Sequence, residues 1–387
     1  MMSRLFRRQF CNLLFLINLS LVCPTSFSAE AGDAIVIGQA IDLSSQNGSI
    51  GRDYVAGIKT FFDALNAAGG LNGRHVRYIV RDDQGKSDLA TKATTELIER
   101  DHVDYLLGGV GDRVTQAVLN TPAFRQSNLV LYAPLVDAIE INDARVLFWR
   151  PAYLQEIRHI LTHFGQLGMR NIGIAYQDAP ATQTAFRMVS AELKSHGLAL
   201  TGTARIGNQA AQNEQEAAKL AMQNPEFVIV IADTISSALF LKSFRNHATQ
   251  TFVAGTSLTN LETLRQLAGS RAVEWTVFSQ VVPNPNNAKT QIQLEHMKMM
   301  QRYRDEPMSP LTLEGFAVAK TLVKAIQRTK KAPLMALQDL LTQHANIDLG
   351  GLIVSTAEPG QKQSKQQNNH LSRYLDIALF KKNALVF

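Results

Sequence analysis

One pattern constrains this chain more than any other: short apolar runs alternate with amphipathic stretches, and the alternation runs twice. The run "AIVIGQAIDLS" (34–44) ends in turn residues, as a buried strand does. It is followed by "GRDYVAGIKTFFDALNAAGG" (51–70), in which Tyr54, Ile58, Phe61, Phe62 and Leu65 fall at helical spacing and Gly69–Gly70 makes the stop. "HVRYIVRDDQG" (75–85) alternates like a strand, "SDLATKATTELIERD" (87–101) is a helix capped by Ser87 or Asp88, and "VDYLLGG" (103–109) is again a buried strand. A helix after Gly111 and the strand "NLVLYAP" (128–134) complete the first series. The second begins at "RNIGIAYQD" (170–178) and runs strand, helix, strand, helix to "TFVAGTS" (251–257). Short connections between such elements force a parallel sheet wound with helices. The sequence therefore predicts two α/β lobes of similar size, with "VLFWRPAYLQE" (146–156) crossing between them. Helices return from Asn284, then "DLGGLIVS" and "YLDIALFKK" read as strands around a polar loop, "EPGQKQSKQQNNH", so the chain crosses back.

The first 33 residues stand apart. Arg4, Arg7 and Arg8 precede an apolar run from Phe10 to Val22, and small residues surround Ser26, Ser28 and Ala29. That is the layout of a secretory signal peptide, read here as residues 1–29. The run is shorter than the about 20 apolar residues of a membrane span, and no later segment reaches that length, so the mature protein is expected to be soluble. Both cysteines, Cys11 and Cys23, lie within the leader. Val22 is bulkier than the residue a lipid-anchor site normally takes before its cysteine. An exported chain with no remaining thiol is held by its cores alone, which suits large domains. Loss of the three arginines lowers the net charge from +6 to about +3. No basic block or basic–aromatic interleaving points to nucleic acid.

From "IGQAIDLS" through "GRDYVAGIKTFFDALNAAGGLNGRHVRYIVRDDQGKSDLATKATTELIERDHVDYLLGG", the chain resembles the amino-terminal half of type I periplasmic solute-binding proteins. The nearest branch is that of leucine/isoleucine/valine-binding receptors of ABC transporters. The "NAAGGLNG" turn, followed by a strand ending in "DD", is the most specific part. The likeness covers nearly all of the mature chain, more weakly after about residue 170. It implies two Rossmann-like lobes, parallel sheets flanked by helices, joined by three hinge crossovers: residues 33–150 with 284–350 as lobe 1, and 151–283 with 351–387 as lobe 2. The crossings would fall near Trp149–Tyr153, Phe278–Pro283 and Gly350–Val354. It also implies a periplasmic, non-enzymatic receptor without cofactor, acting as a monomer. Such a receptor would trap a small polar solute (amino acid, amide or amine-like) and deliver it to an ABC permease in the inner membrane. A membrane sensor reading the same closure is the alternative. A neighbouring permease and ATPase in the operon would favour transport.

The ligand-binding set this resemblance implies is Ser45, Ile50, Gly111, Asp112, Arg113, Leu135, Asp137, Asp178, Asp233 and Thr256. In amino-acid-binding relatives, the turn matching 110–113 offers a small hydroxyl and backbone N–H groups to the ligand carboxylate. The strand end matching 133–137 offers more. Here Asp112 and Asp137 stand at those places, and two carboxylates repel a third in a low-dielectric cleft. Three readings of the turn stay open. Asp112 caps the helix behind it. Alternatively Asp112 and Asp137, with Asp233 as a third acid, select a positively charged or donor-rich ligand such as an amine or amide. Arg113 swinging in to bind an anion is the third.

Other motifs are weak. His159 and His163 lie four apart with Glu156 one turn earlier, but no third metal ligand is evident. "GVGDRV" lacks the last glycine of a dinucleotide fingerprint. "GTSLT" is not a nucleophile elbow, and no nucleophile–base set appears. Trp149 and Arg150 at the crossover either line the cleft or, as large residues more often do, pack the hinge, and Met297, Met299 and Met300 are read as helix packing.

Overall fold

The computed structural model describes residues 34–137, 141, 143–329, 333–356, 369–381 and 384–386. The segment expected to be a leader, both cysteines and most of the polar loop lie outside the described residues. The chain opens with β1 (Ile35–Ile41), α1 (Gly48–Ala67), β2 (Val76–Asp82), α2 (Ser87–Glu99), β3 (Tyr105–Leu107), α3 (Asp112–Asn120), α4 (Pro122–Gln126), β4 (Leu131–Tyr132) and β5 (Val146–Leu147). These five strands form one parallel sheet in the order β2-β1-β3-β4-β5.

The second series is α5 (Tyr153–Gln166), β6 (Asn171–Gln177), α6 (Pro180–Ser195), β7 (Ala199–Ile206), α7 (Ala210–Met222), β8 (Phe227–Ile231), α8 (Thr234–Phe244), β9 (Phe252–Gly255), α9 (Leu261–Ala268), α10 (Ser270–Val273) and β10 (Thr276–Gln280). The chain then returns through α11 (Gln291–Tyr303), α12 (Pro310–Arg328), α13 (Ala336–Thr342) and the antiparallel pair β11 (Asn346–Asp348) and β12 (Ile353–Ser355). It ends in β13 (Asp376–Lys381) and β14 (Ala384–Val386). The second sheet runs β14-β13-β10-β9-β8-β6-β7, parallel except for its antiparallel last two strands. Two α/β lobes stand where the doubled alternation requires them.

Core membership fixes where the chain changes lobe. Trp149 packs in the first lobe and Tyr153 in the second; Phe278 belongs to the second and Val282 to the first. The third crossing differs from the expected Gly350–Val354. Gly350 and Gly351, both at positive φ, turn β11 back as β12. Leu349, Leu352, Val354 and Leu371 are buried in the first lobe's core. Among the described residues, 351–356 and 369–371 pack with the first lobe rather than the second, and the change of core falls between Leu371 and Ile377. The apolar "GLIVS" reads as a crossing strand in sequence, but its side chains find their core without leaving home.

Within the first lobe, α1 and α12 pack at glycine-thin contact. A Cβ on Gly57 would lie 1.9 Å from the Thr312 carbonyl oxygen, and one on Gly315 would lie 2.1 Å from that of Tyr54. The two helices hold the lobe's spine, and their N-terminal ends reach the facing lobe. No described helix is long and apolar enough to cross a membrane.

Candidate functional site

The carboxyl ends of the two sheets meet across a cleft, the place where open α/β sheets hold ligands. On the first lobe, the turn from β3 to α3 lies beside the end of β4. Gly111, at φ +97°, takes the cap position of α3, a conformation that costs a side-chain-bearing residue but not glycine. Val110 and Leu135 form an isolated parallel bridge: Gly111 N–H donates to Leu135 O and Leu135 N–H to Gly109 O, both at 2.9 Å.

Asp112 is the first residue of α3, one past the cap position, which Gly111 takes in place of the expected aspartate. Its Oδ1 instead accepts the backbone N–H of Asp137 at 3.0 Å, a partner 25 residues away. The protein's own carboxylate thus holds the strand-end donor. Beside it, the Asp137 carboxyl is pushed up to about 8 by burial first, then by the charges of Asp112 and Glu156, against which Arg150 pulls only in part.

The cleft floor is a buried ionic network spanning both lobes. Arg150 donates from Nε (3.1 Å) and an η nitrogen (2.7 Å) to the two oxygens of Glu314 on α12, and from its other η nitrogen to Ser257 Oγ at 3.2 Å. Glu156 on α5 accepts the Ser257 N–H at 2.9 Å and the Ser279 hydroxyl at 2.6 Å through the same oxygen. Arg150, Glu156 and Glu314 are each 2% exposed. Burial raises the Glu314 carboxyl even with Arg150 against it. The Tyr153 hydroxyl is likewise raised by burial, then by Asp137 and Glu156. Charge is lopsided here: Glu314, Glu156 and Asp137 look to one guanidinium, and Asp112 adds its charge beside Asp137.

The remaining candidates are scattered. Asp233 caps α8 through the Ser236 N–H at 2.9 Å, and its other oxygen takes the amide of Gln46 from the facing lobe. Asp178 is exposed and pairs with Arg205 at 2.9 Å. Ser45 is exposed and bonded to Asp42, while Arg113 is exposed. The side chains of Ile50 and Leu135 are buried in the first lobe's core. Thr256 is half-buried beside Ser257. Sequence reasoning left out Ser257, Ser279 and Glu314, favoured packing for Arg150, and grouped Glu156 with His159 and His163. Trp149 does pack, donating its indole N–H to Thr321 at 2.9 Å. One signal was available: Glu314 is a lone acid inside the apolar helix "PLTLEGFAVA", and a buried carboxylate needs a cation.

A family model described as "Periplasmic binding protein" matches residues 34–381. A substrate-binding periplasmic protein from Ralstonia solanacearum superposes with a TM-score of 0.77 at 26% identity, covering 89% of this chain and 97% of that one. An extracellular ligand-binding receptor from Verminephrobacter eiseniae gives 0.82 at 19% identity, covering 92% and 100%. An amino acid binding protein of Pseudomonas aeruginosa is 27% identical over 108 residues, 28% of this chain and 27% of that protein's length. The chain thus spans about a quarter of that relative.

Proposed function

The chain belongs to the periplasmic binding protein family, whose members bind solutes and are not enzymes, and from that premise we propose that it traps a small amine- or amide-like solute by closing its two lobes. In this reading it works in the periplasm and passes the solute to an ABC permease. Ligand contacts are complete only when both cleft walls are in place, so binding favours the closed form by the difference in contacts. Lobe-to-lobe bonds already line the seam: Gln46 to Asp233, and Asn260 Nδ2 to Ser49 O at 3.2 Å. One observation carries the ligand class. The Asp137 N–H is held by Asp112, so the strand end lends that donor to no α-carboxylate, and acids crowd the place where such a group would sit.

A thermal-shift and calorimetric screen of amines, amides and amino acids tests this, because a ligand of the native state raises the melting point by mass action. Leucine, isoleucine and valine are expected to bind weakly or not at all; micromolar affinity for any of them overturns the reading. For an amine hit, Asp137→Asn and Asp112→Ala should each weaken binding by about tenfold or more.

Proton linkage gives a sharper check. With Asp137 raised to about 8, its carboxyl is protonated at pH 7. The ligand-free fold therefore holds one more proton than the unfolded chain, and this group's stabilisation is lost as pH climbs from about 4 through 8. A bound cation favours the carboxylate. Amine binding at neutral pH is expected to release close to one proton, seen by calorimetry in buffers of different ionisation enthalpy, and to tighten as pH rises from about 6 to 8. Asp137→Asn should abolish both effects.

A further inference from the structure

A second cavity, of about 160 Å³, lies on the seam between the lobes, walled by Asp53, Met308 and Ser309 from the first and by Thr259, Asn260 and Gln280 from the second. It adjoins the ionic floor at Ser257, which lines it, but its other polar walls face away from that network. Strand alternation sends Ser279 to Glu156 on one face of β10, so Gln280 points to the other. The polar wall is partly spent. Asp53 accepts the Ser309 hydroxyl at 2.7 Å and Asn260 Nδ2 at 3.1 Å, and Asn260 Oδ1 accepts the Thr263 N–H at 2.9 Å.

Gln280 and Thr259 are different. They are 2% and 6% exposed, they line the cavity, and among the described residues neither side chain has a hydrogen-bond partner. Neither is among the fully enclosed polar atoms left unpaired, so the amide and the hydroxyl reach the cavity space, where water or a ligand head group bonds them. Leu261, Leu311 and Phe380 supply apolar wall opposite. The volume equals that of about five waters, or one small organic molecule.

We infer that this cavity is a second ligand site, taking a small uncharged molecule with a carboxamide or hydroxyl head and a short apolar tail. Gln280 and Thr259 each offer one donor and one acceptor, which match a carboxamide's paired groups. The walls come from both lobes, so the site is complete only in the closed form. An occupant therefore favours closure and tightens the cleft, and the cleft ligand tightens it in return.

The test uses propionamide as probe on the mature chain, read by NMR of isotope-labelled methionine methyl groups with Met308 as the local reporter. A saturable shift of the Met308 signal is expected in the millimolar to tens of millimolar range, the affinity open to so small a molecule. Gln280→Leu and Thr259→Val should each weaken binding by about threefold to tenfold, the worth of one hydrogen bond. Asp137→Asn should leave it unchanged, which keeps this site distinct from the cleft. Melting curves confirm that each variant is folded, and near-isosteric Thr259→Val stands if Gln280→Leu does not fold. The inference is overturned if Met308 shows no saturable shift, if Asp137→Asn removes it, or if neither cavity variant weakens it, the last meaning adventitious binding only.

Discussion

Arg150→Ala is expected to cost about 3–5 kcal/mol of folding stability, the range for removing one partner of a buried ion pair. The loss is large because three groups depend on the same guanidinium: Glu314 loses two charge-assisted bonds, Ser257 loses a donor, and Asp137 loses the cation that opposes its neighbours' repulsion. Arg150→Met combined with Glu314→Leu removes both charges and keeps the volume, so the pair should recover to within about 1–2 kcal/mol of the parent. Burial already raises the Glu314 carboxyl, and losing Arg150 raises it further. The single variant's deficit should therefore shrink as pH falls and Glu314 takes up a proton. Urea unfolding at several pH values reads all three. A cost below about 1 kcal/mol for Arg150→Ala would mean that the floor is wet and the network idle.

Gly315→Ala is expected to be a strongly damaging one-methyl change in the first lobe. The new Cβ would lie 2.1 Å from the Tyr54 carbonyl oxygen, a backbone atom that no side-chain rotation can move. Gly57→Ala meets the Thr312 carbonyl oxygen at 1.9 Å. Either forces α1 and α12 apart, and overpacking of this kind costs about 1–3 kcal/mol, or more where backbone must shift. Helix propensity opposes the loss by up to about 1 kcal/mol, so Gly165→Ala on α5 is the control. Its Cβ would touch only an Arg170 η nitrogen, at 3.5 Å, and it should be neutral or stabilising. Thermal unfolding ranks the three, and an ordering with Gly165→Ala lowest would refute this account of the helix contact. Ligand affinity should fall with Gly315→Ala as well, because α12 carries Glu314 on the adjacent position.

Much of the architecture was legible because its signal is local. The apolar run 34–44 and the helical spacing of Tyr54, Ile58 and Phe62 need only neighbouring residues to be read. What failed needed partners far away in sequence. Asp112 looked like a cap because its type and place fit one, but Gly111 took that position and a strand end 25 residues on offered a better donor. Residues 350–354 looked like a crossing because an apolar run does not announce which of two cores it enters. Arg150 looked like packing because its partners lie 107 and 164 residues ahead.

Sequence alone determined two wound α/β lobes and a chain that returns to the first, because period and turn chemistry are written residue by residue. Tertiary structure alone decided which acids share one guanidinium, which donor Asp112 consumes and where the last crossing falls. Those are choices among distant partners, and only burial of the charges together makes one pairing cheaper than the rest.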